Sequence, residues 1–279
     1  MRATGDAANE VDHGMEMLRP RLFEGSGVHG VWTTRAGGAS TGPYGTLNMG
    51  FHVGDSDGAV LENRRRVASA LGLGEGDLTS GVQSHSNGVA VVHGADRGRG
   101  AARWEDGFEG TDALVTREPG LPLMVVAADC LLLALADPRR GVVAAVHASR
   151  RSAIAGIVGS AVELVASEFG CEPAEMIAAL GPHIGECCYE VGPDVEEEAR
   201  AARGDVADDL FLRPEGAQPR FRLAHLVRGD LTAFGVPERS IEEMPGCTAC
   251  EADRFYSYRR DGAETGRHAL IVWTGTMEA

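Results

Sequence analysis

The chain of 279 residues contains no lysine, and its 26 basic side chains, all arginine, face 41 acidic ones. A formal net charge of −15 disfavours a nucleic-acid partner, which needs a basic face, and still permits a local arginine pocket for one small anion. Residues 1–20 lack the apolar segment of a secretory leader, so the expected location is the cytoplasm. The longest apolar stretch, Leu121–Ala136, is shorter than the roughly 20 residues of a membrane span and is interrupted by Asp129. No membrane association is expected. The glycine-rich loop Arg35–Gly45 has neither Walker A nor G-x-G-x-x-G spacing, so neither ATP nor a dinucleotide is implied. Among six cysteines there is one Cys-x-x-Cys, Cys247–Cys250, and no second one to complete a Cys₄ zinc site. These two are expected to be loop thiols in a reducing compartment.

What remains is ordinary for a folded protein: 43% hydrophobic residues and 24% charged ones, in a chain long enough for an ample core. Residues 1–20 read as a disordered tail and 21–279 as one domain. Strands are expected at Val28–Thr34, Val89–His93, Asp112–Thr116, within 121–136, at Gly141–His147, Ile177–Leu180 and His268–Trp273. The 121–136 run reads as two buried strands or one bent one. Helices are expected from Asp57 to Gly72, from Ser149 or Ser152 to Phe169, over 193–203 and around 221–234. Strands outnumber helices without steady βαβ alternation, which predicts an α+β fold of packed, mixed β-sheets flanked by helices. The run Glu196–Glu198 reads as a solvated helix face.

Asp129 and Cys130 stand in the middle of the apolar stretch, and the next strand ends on His147. A carboxylate and a thiol there need a partner, because an unpaired buried charge costs several kcal/mol. Cys130 and His147 can meet either as a nucleophile–base pair or as two metal ligands. His85, in the polar loop Gln83–Asn87, gains weight if it joins them. Two imidazoles and a thiolate suit Zn²⁺ with one coordination position open, which brings the pKa of water down towards about 7. Arg35, Asn48 and Arg64, near the glycine-rich loop, are candidates for substrate contacts through phosphate or a hydroxyl. The segment Phe255–Arg267 offers aromatics and arginines for one wall of a pocket or a tight hairpin.

Several short segments in one order resemble the laccase-domain family, also called YfiH-like or multicopper polyphenol oxidase-like, from about residue 28 to 273. They are Thr34–Tyr44, Leu47–Gly50, Val53–Asp55, Glu62–Arg64, Asp112–Thr116, Ala128–Cys130, Val146–Ala148, Gly181–Gly185, Cys188–Gly192 and Tyr256–Gly262. The resemblance implies a CNF1/YfiH-like fold and a zinc site on His85, Cys130 and His147. It implies phosphorolysis of adenosine, inosine or methylthioadenosine and hydrolytic deamination of adenosine, with nucleoside and phosphate as partners. Asp129 is the candidate proton shuttle among the catalytic residues His85, Cys130, His147 and Asp129. The chain departs from the family pattern at Ser86, Ser149 and Ser152, each in place of glycine, and at Arg150 in place of tryptophan. Those loops are expected to lose backbone freedom.

The oxidase part of the family's name meets a physical objection. A four-copper laccase needs many histidines, commonly as His-x-His, and the nine here include no such pair. Copper is the weaker expectation and a four-copper laccase is rejected. Two other classes stay open: a metal-free Cys130–His147 hydrolase linked to peptidoglycan precursors, and a catalytically impaired binding relative.

Overall fold

The computed structural model describes residues 8–12 and 14–275. In chain order these form β1 (Ala8–Asp12), β2 (Met15–Arg19), β3 (Val28–Thr33), α1 (Asp57–Ala70), β4 (Thr79–Val82), β5 (Val89–Val91), β6 (Phe108–Glu109), β7 (Ala113–Thr116), β8 (Leu123–Ala127), β9 (Leu131–Asp137) and β10 (Val142–Ala148). There follow α2 (Arg150–Ile154), α3 (Ile157–Phe169), β11 (Ile177–Leu180), α4 (Pro193–Arg203), β12 (Phe211–Leu212), β13 (Arg220–Phe221), α5 (Leu223–Ala233), β14 (Ile241–Glu243), α6 (Tyr258–Asp261) and β15 (His268–Thr274).

One large sheet has the order β1-β2-β3-β15-β8-β4-β6, the other β14-β11-β9-β10-β7-β5, and β12 and β13 form a separate two-stranded sheet. Their alternating side chains explain the layers. On β9, Leu132, Ala134 and Ala136 face the other sheet and share a core with Trp32, Leu123, Val125, Leu270 and Val272. Leu131, Leu133 and Leu135 point the opposite way, into the core that holds Ile157, Val158, Ala161 and Val165 of α3 and Leu226 and Val227 of α5. Being buried on both faces is why β9 reads as a continuous apolar run. Across the molecule, Val67 and Leu71 of the α1 segment pack with Val31, Met124 and Ile271 on the outer face of the first sheet. The result is an α+β sandwich of two mixed sheets between helices.

The 121–136 run is therefore two strands in different sheets, and Ala128, Asp129 and Cys130 make the corner between them. The β4–β5 connection crosses between the sheets in the same way. The pairings Ser80 with Met124, Val146 with Ala113, and Ala148 with Leu131 put both crossings and the end of β10 at one end of the sandwich. Topology thus gathers His85, Cys130 and His147.

Two details differ from the expectations. The helix expected from Ser149 to Phe169 is two helices, because Gly156 takes φ +93 and turns the chain between α2 and α3. Part of the expected 1–20 tail lies in the sheet: β1 pairs with β2, β2 with β3, and Met15, Met17 and Leu18 are buried. Gly14, at φ +81, provides the left-handed residue beside that turn. Residues 1–7 lie outside the described residues.

Candidate metal and active site

His85, Cys130 and His147 offer donor atoms that all lie within 4.8 Å of one another, and the two imidazole rings meet edge to face at 5.1 Å. The backbone is bent to bring them there. Among the described residues, His85 at φ +60 and Asp129 at φ +81 are the non-glycine residues with left-handed φ; the first belongs to this cluster and the second adjoins Cys130. Such conformations cost about 1–3 kcal/mol each and persist where the surroundings dictate them. The Gln83 side chain supplies part of that constraint, donating to Val126 O and accepting from Val126 N, both at 2.8 Å. At the corner, the Asp129 carboxylate accepts from Thr248 Oγ1 and from Arg259 N, each at 2.6 Å.

Asp112 is a site residue that sequence reasoning missed, although the Asp112–Thr116 segment carries it. Its Oδ1 lies 2.8 Å from His147 Nδ1, which leaves Nε2 of His147 as the free ring atom. The same carboxylate accepts from the backbone N–H groups of Ser84, His85 and Ser86 at 3.1, 3.0 and 2.8 Å. One buried acid therefore orients two of the three donors. Burial raises the Asp112 pKa, and its bonds to His147 and the loop outweigh that, holding it at about 2. Burial also opposes charge on His147, but Cys130 and Asp112 raise its pKa to about 9. For Cys130 burial pushes the thiol up, while the charge of His147 and hydrogen bonds from both imidazoles bring it down to about 6. The donor set fits a single N/S-liganded cation with a carboxylate holding one imidazole from behind.

The three side chains line a cavity of about 520 Å³ with His52, Gln83, Asp129, Tyr189 and Tyr258. Arg150, Arg151, Arg259 and Arg267 also border it, a local concentration of positive charge on an acidic chain. His52 is kept neutral near pH 7, its pKa lowered to about 4 by burial and by Arg267. Nothing in its local sequence marks it. Arg259 and Arg267 belong to the aromatic and arginine-rich segment that reads as either a pocket wall or a tight hairpin, and with Tyr258 they line the cavity.

Arg35, Asn48 and Arg64 are not among the cavity-lining residues; they build the loop behind it. Arg35 donates to Gly45 O and Ala252 O, and buried Arg64 to Met49 O, Gly100 O and Ala101 O. Asn48 Oδ1 accepts from the backbone N–H of Arg267 at 2.8 Å, so it acts on the cavity through that arginine. Guanidinium donors already satisfied by carbonyls have little left for a ligand.

The three serines take on bonds that glycine could not make. Ser86 Oγ donates to Asp112 Oδ2 at 3.0 Å. Ser149 and Ser152 form a reciprocal capping box at the start of α2, and Ser152 Oγ donates to His147 O at 3.1 Å. None of the three has a left-handed φ, so the expected loss of backbone freedom brings no strain here.

A two-sheet α+β sandwich with this His-Cys-His cluster at one end is that of a laccase-domain protein. The chain belongs to the family described as multi-copper polyphenol oxidoreductase laccase, whose model matches residues 29–275. It is 40% identical over 249 residues to a purine nucleoside phosphorylase of Streptomyces coelicolor, covering 89% of this chain and 96% of that one. It is 35% identical over 241 residues to an adenosine deaminase, RL5, from an unknown prokaryotic organism, covering 86% and 92%. The crystal structure of YlmD from Geobacillus stearothermophilus superimposes with a TM-score of 0.90 at 32% identity, over 98% of this chain and 100% of that one.

Proposed function

We propose that the chain is a cytoplasmic purine nucleoside enzyme that cleaves adenosine, inosine and methylthioadenosine by phosphorolysis and also deaminates adenosine, with zinc held by His85, Cys130 and His147. The observation that carries this reading is the convergence of those three donors in a cavity bordered by four arginines. The names of the relatives support the same substrate class. Bound zinc would supply Lewis acidity and a lowered pKa for water.

In phosphorolysis a phosphate oxygen bonds to the ribose C1′ as the C1′–N9 bond breaks, and the purine leaves with that electron pair and takes up a proton. Positioning and charge carry such a displacement. Arg151, exposed at the cavity rim, leads our candidates for holding phosphate in place of Arg35 and Arg64, with Arg150, paired at one nitrogen with Glu198, and Arg259, which gives one donor to Glu190 O, contributing their remaining donors. Neutral His52 is suited to hydrogen-bond the purine. In deamination the oxygen of water bonds to C6, the C6–N6 bond breaks and ammonia leaves. Asp129 holds the corner through Thr248 and Arg259 N and still lines the cavity with acceptor capacity to spare, so it remains the candidate for moving the proton.

Incubation of zinc-loaded protein with adenosine or inosine, with and without phosphate, tests the reading when the products are resolved by chromatography. Adenine or hypoxanthine released only with phosphate marks phosphorolysis, and inosine formed from adenosine marks deamination. Zinc-loaded, folded protein yielding none of these ends it.

A second reading rests on a specific arrangement: Cys130, His147 and Asp112 also stand as nucleophile, base and orienting acid. A metal-free hydrolase of that type, acting on peptidoglycan precursors, would survive chelators and die with thiol alkylation. Loss of activity on chelation, restored by zinc, decides against it.

A further inference from the structure

Four other cysteines lie beyond the ends of β11 and β14, outside the cavity described above. These strands pair in parallel, Leu180 beside Glu243, so both release their following loops at the same end of the sheet. One loop brings Cys187 and Cys188, the other Cys247 and Cys250, and all four sulfur atoms lie within 4.8 Å of one another. The partner that Cys247–Cys250 lacked in the sequence is thus a vicinal pair rather than a second Cys-x-x-Cys.

The geometry favours a cation over disulfides. Cys250 Sγ is 3.6 Å from Cys187 Sγ and 3.3 Å from Cys188 Sγ. A disulfide needs about 2.05 Å. Sulfurs at ~2.3 Å from a central zinc, arranged tetrahedrally, lie roughly 3.8 Å apart. The backbone N–H of Gly185 donates to Cys247 Sγ at 3.2 Å, the kind of bond that supports a metal-bound thiolate. Glycine at 185 leaves room for the cluster, since a Cβ there would stand 3.2 Å from Cys187 Sγ and 3.4 Å from Cys247 Sγ.

We propose that Cys187, Cys188, Cys247 and Cys250 form a second metal centre, a closed Cys₄ site for Zn²⁺, which fastens a loop that walls the cavity to a second loop that holds Asp129 from behind. The first loop carries Ile184 and Tyr189, both cavity residues. The second carries Thr248, which donates through its N–H to His183 O at 3.1 Å and through its hydroxyl to Asp129. On binding, each thiol gives its proton to solvent and the four thiolates share one divalent cation, with no change of oxidation state. Four sulfurs leave no position for water or substrate, so the role is structural. The inference does not depend on the nucleoside reading.

The test uses full-length protein purified under reducing, oxygen-free conditions. Zinc content should be two per chain for the parent and one for the His85→Ala/His147→Ala variant. The Cys247→Ser/Cys250→Ser variant should also keep one, with folding of both variants checked by circular dichroism. Cobalt(II) added alone to the metal-free histidine variant should produce the sulfur-to-metal charge-transfer absorption and intense visible bands of a tetrahedral thiolate centre. The proposal is overturned if the folded histidine variant takes up neither zinc nor cobalt. It is equally overturned if peptide mapping finds these cysteines joined as disulfides whose reduction still gives no cobalt signal. Because the parent is measured beside the histidine variant, an empty His85–Cys130–His147 site and an empty cysteine site give different counts.

Discussion

The His85–Cys130–His147 cluster and the four-cysteine cluster both place sulfur near the ends of strands, yet their surroundings differ. The first has three mixed donors, opens into a cavity and has an acid behind one imidazole. The second has four like donors and a backbone N–H for company. Cys130 is pulled down to about 6 against its burial, by His147 and His85. In the second cluster Cys187 is pushed up to about 11, by burial and by neighbouring thiols, whereas Cys247 is drawn down against its burial by hydrogen bonds led by the Gly185 N–H. Open position and charged neighbours mark chemistry, while a filled donor set marks a fastening.

Four substitutions sharpen that contrast. The largest effect is expected for Cys130→Ser, which should lower kcat/KM for nucleoside on the order of a thousandfold or more while leaving the melting temperature within a few degrees, by steady-state assay and calorimetry. Arg64→Gln should do the reverse. It leaves buried carbonyls of Met49, Gly100 and Ala101 without their donor, so urea unfolding should show a loss of about 3 kcal/mol. Asp112→Asn should weaken zinc at the histidine cluster roughly 10- to 100-fold, as read by chelator competition, and leave the cysteine cluster's metal in place. Equal weakening of both sites would erase the distinction between them. The smallest effect is expected for Arg151→Gln, a rise in KM for phosphate of about tenfold with stability unchanged.

Cys130 was legible because an acid and a thiol interrupt an apolar run, and His147 because it ends the next one. The strands behind them were legible from the same burial that makes them apolar. His85 needed the family pattern, since a polar loop histidine carries no burial signal of its own. Arg64 was misplaced for a physical reason: a guanidinium aimed at phosphate and one saturated by carbonyls look alike in a sequence. Asp112 lay in a recognised segment, but its hold on His147 and on the Ser84–Ser86 amides exists only after two sheets close. The cysteine pairs are brought together by the parallel pairing of β11 and β14, a contact with no local signature. The break at Gly156 shows the complementary failure, a periodic pattern that continues through a turn.

His85 sits exposed at φ +60, where an imidazole-bearing residue is less at ease than glycine by on the order of 1 kcal/mol. With His85 in the metal-holding role proposed above, thermostability and turnover pull this one position in opposite directions. A population selected for heat resistance alone would drift towards His85→Gly, whereas one kept under demand for catalysis would hold the imidazole.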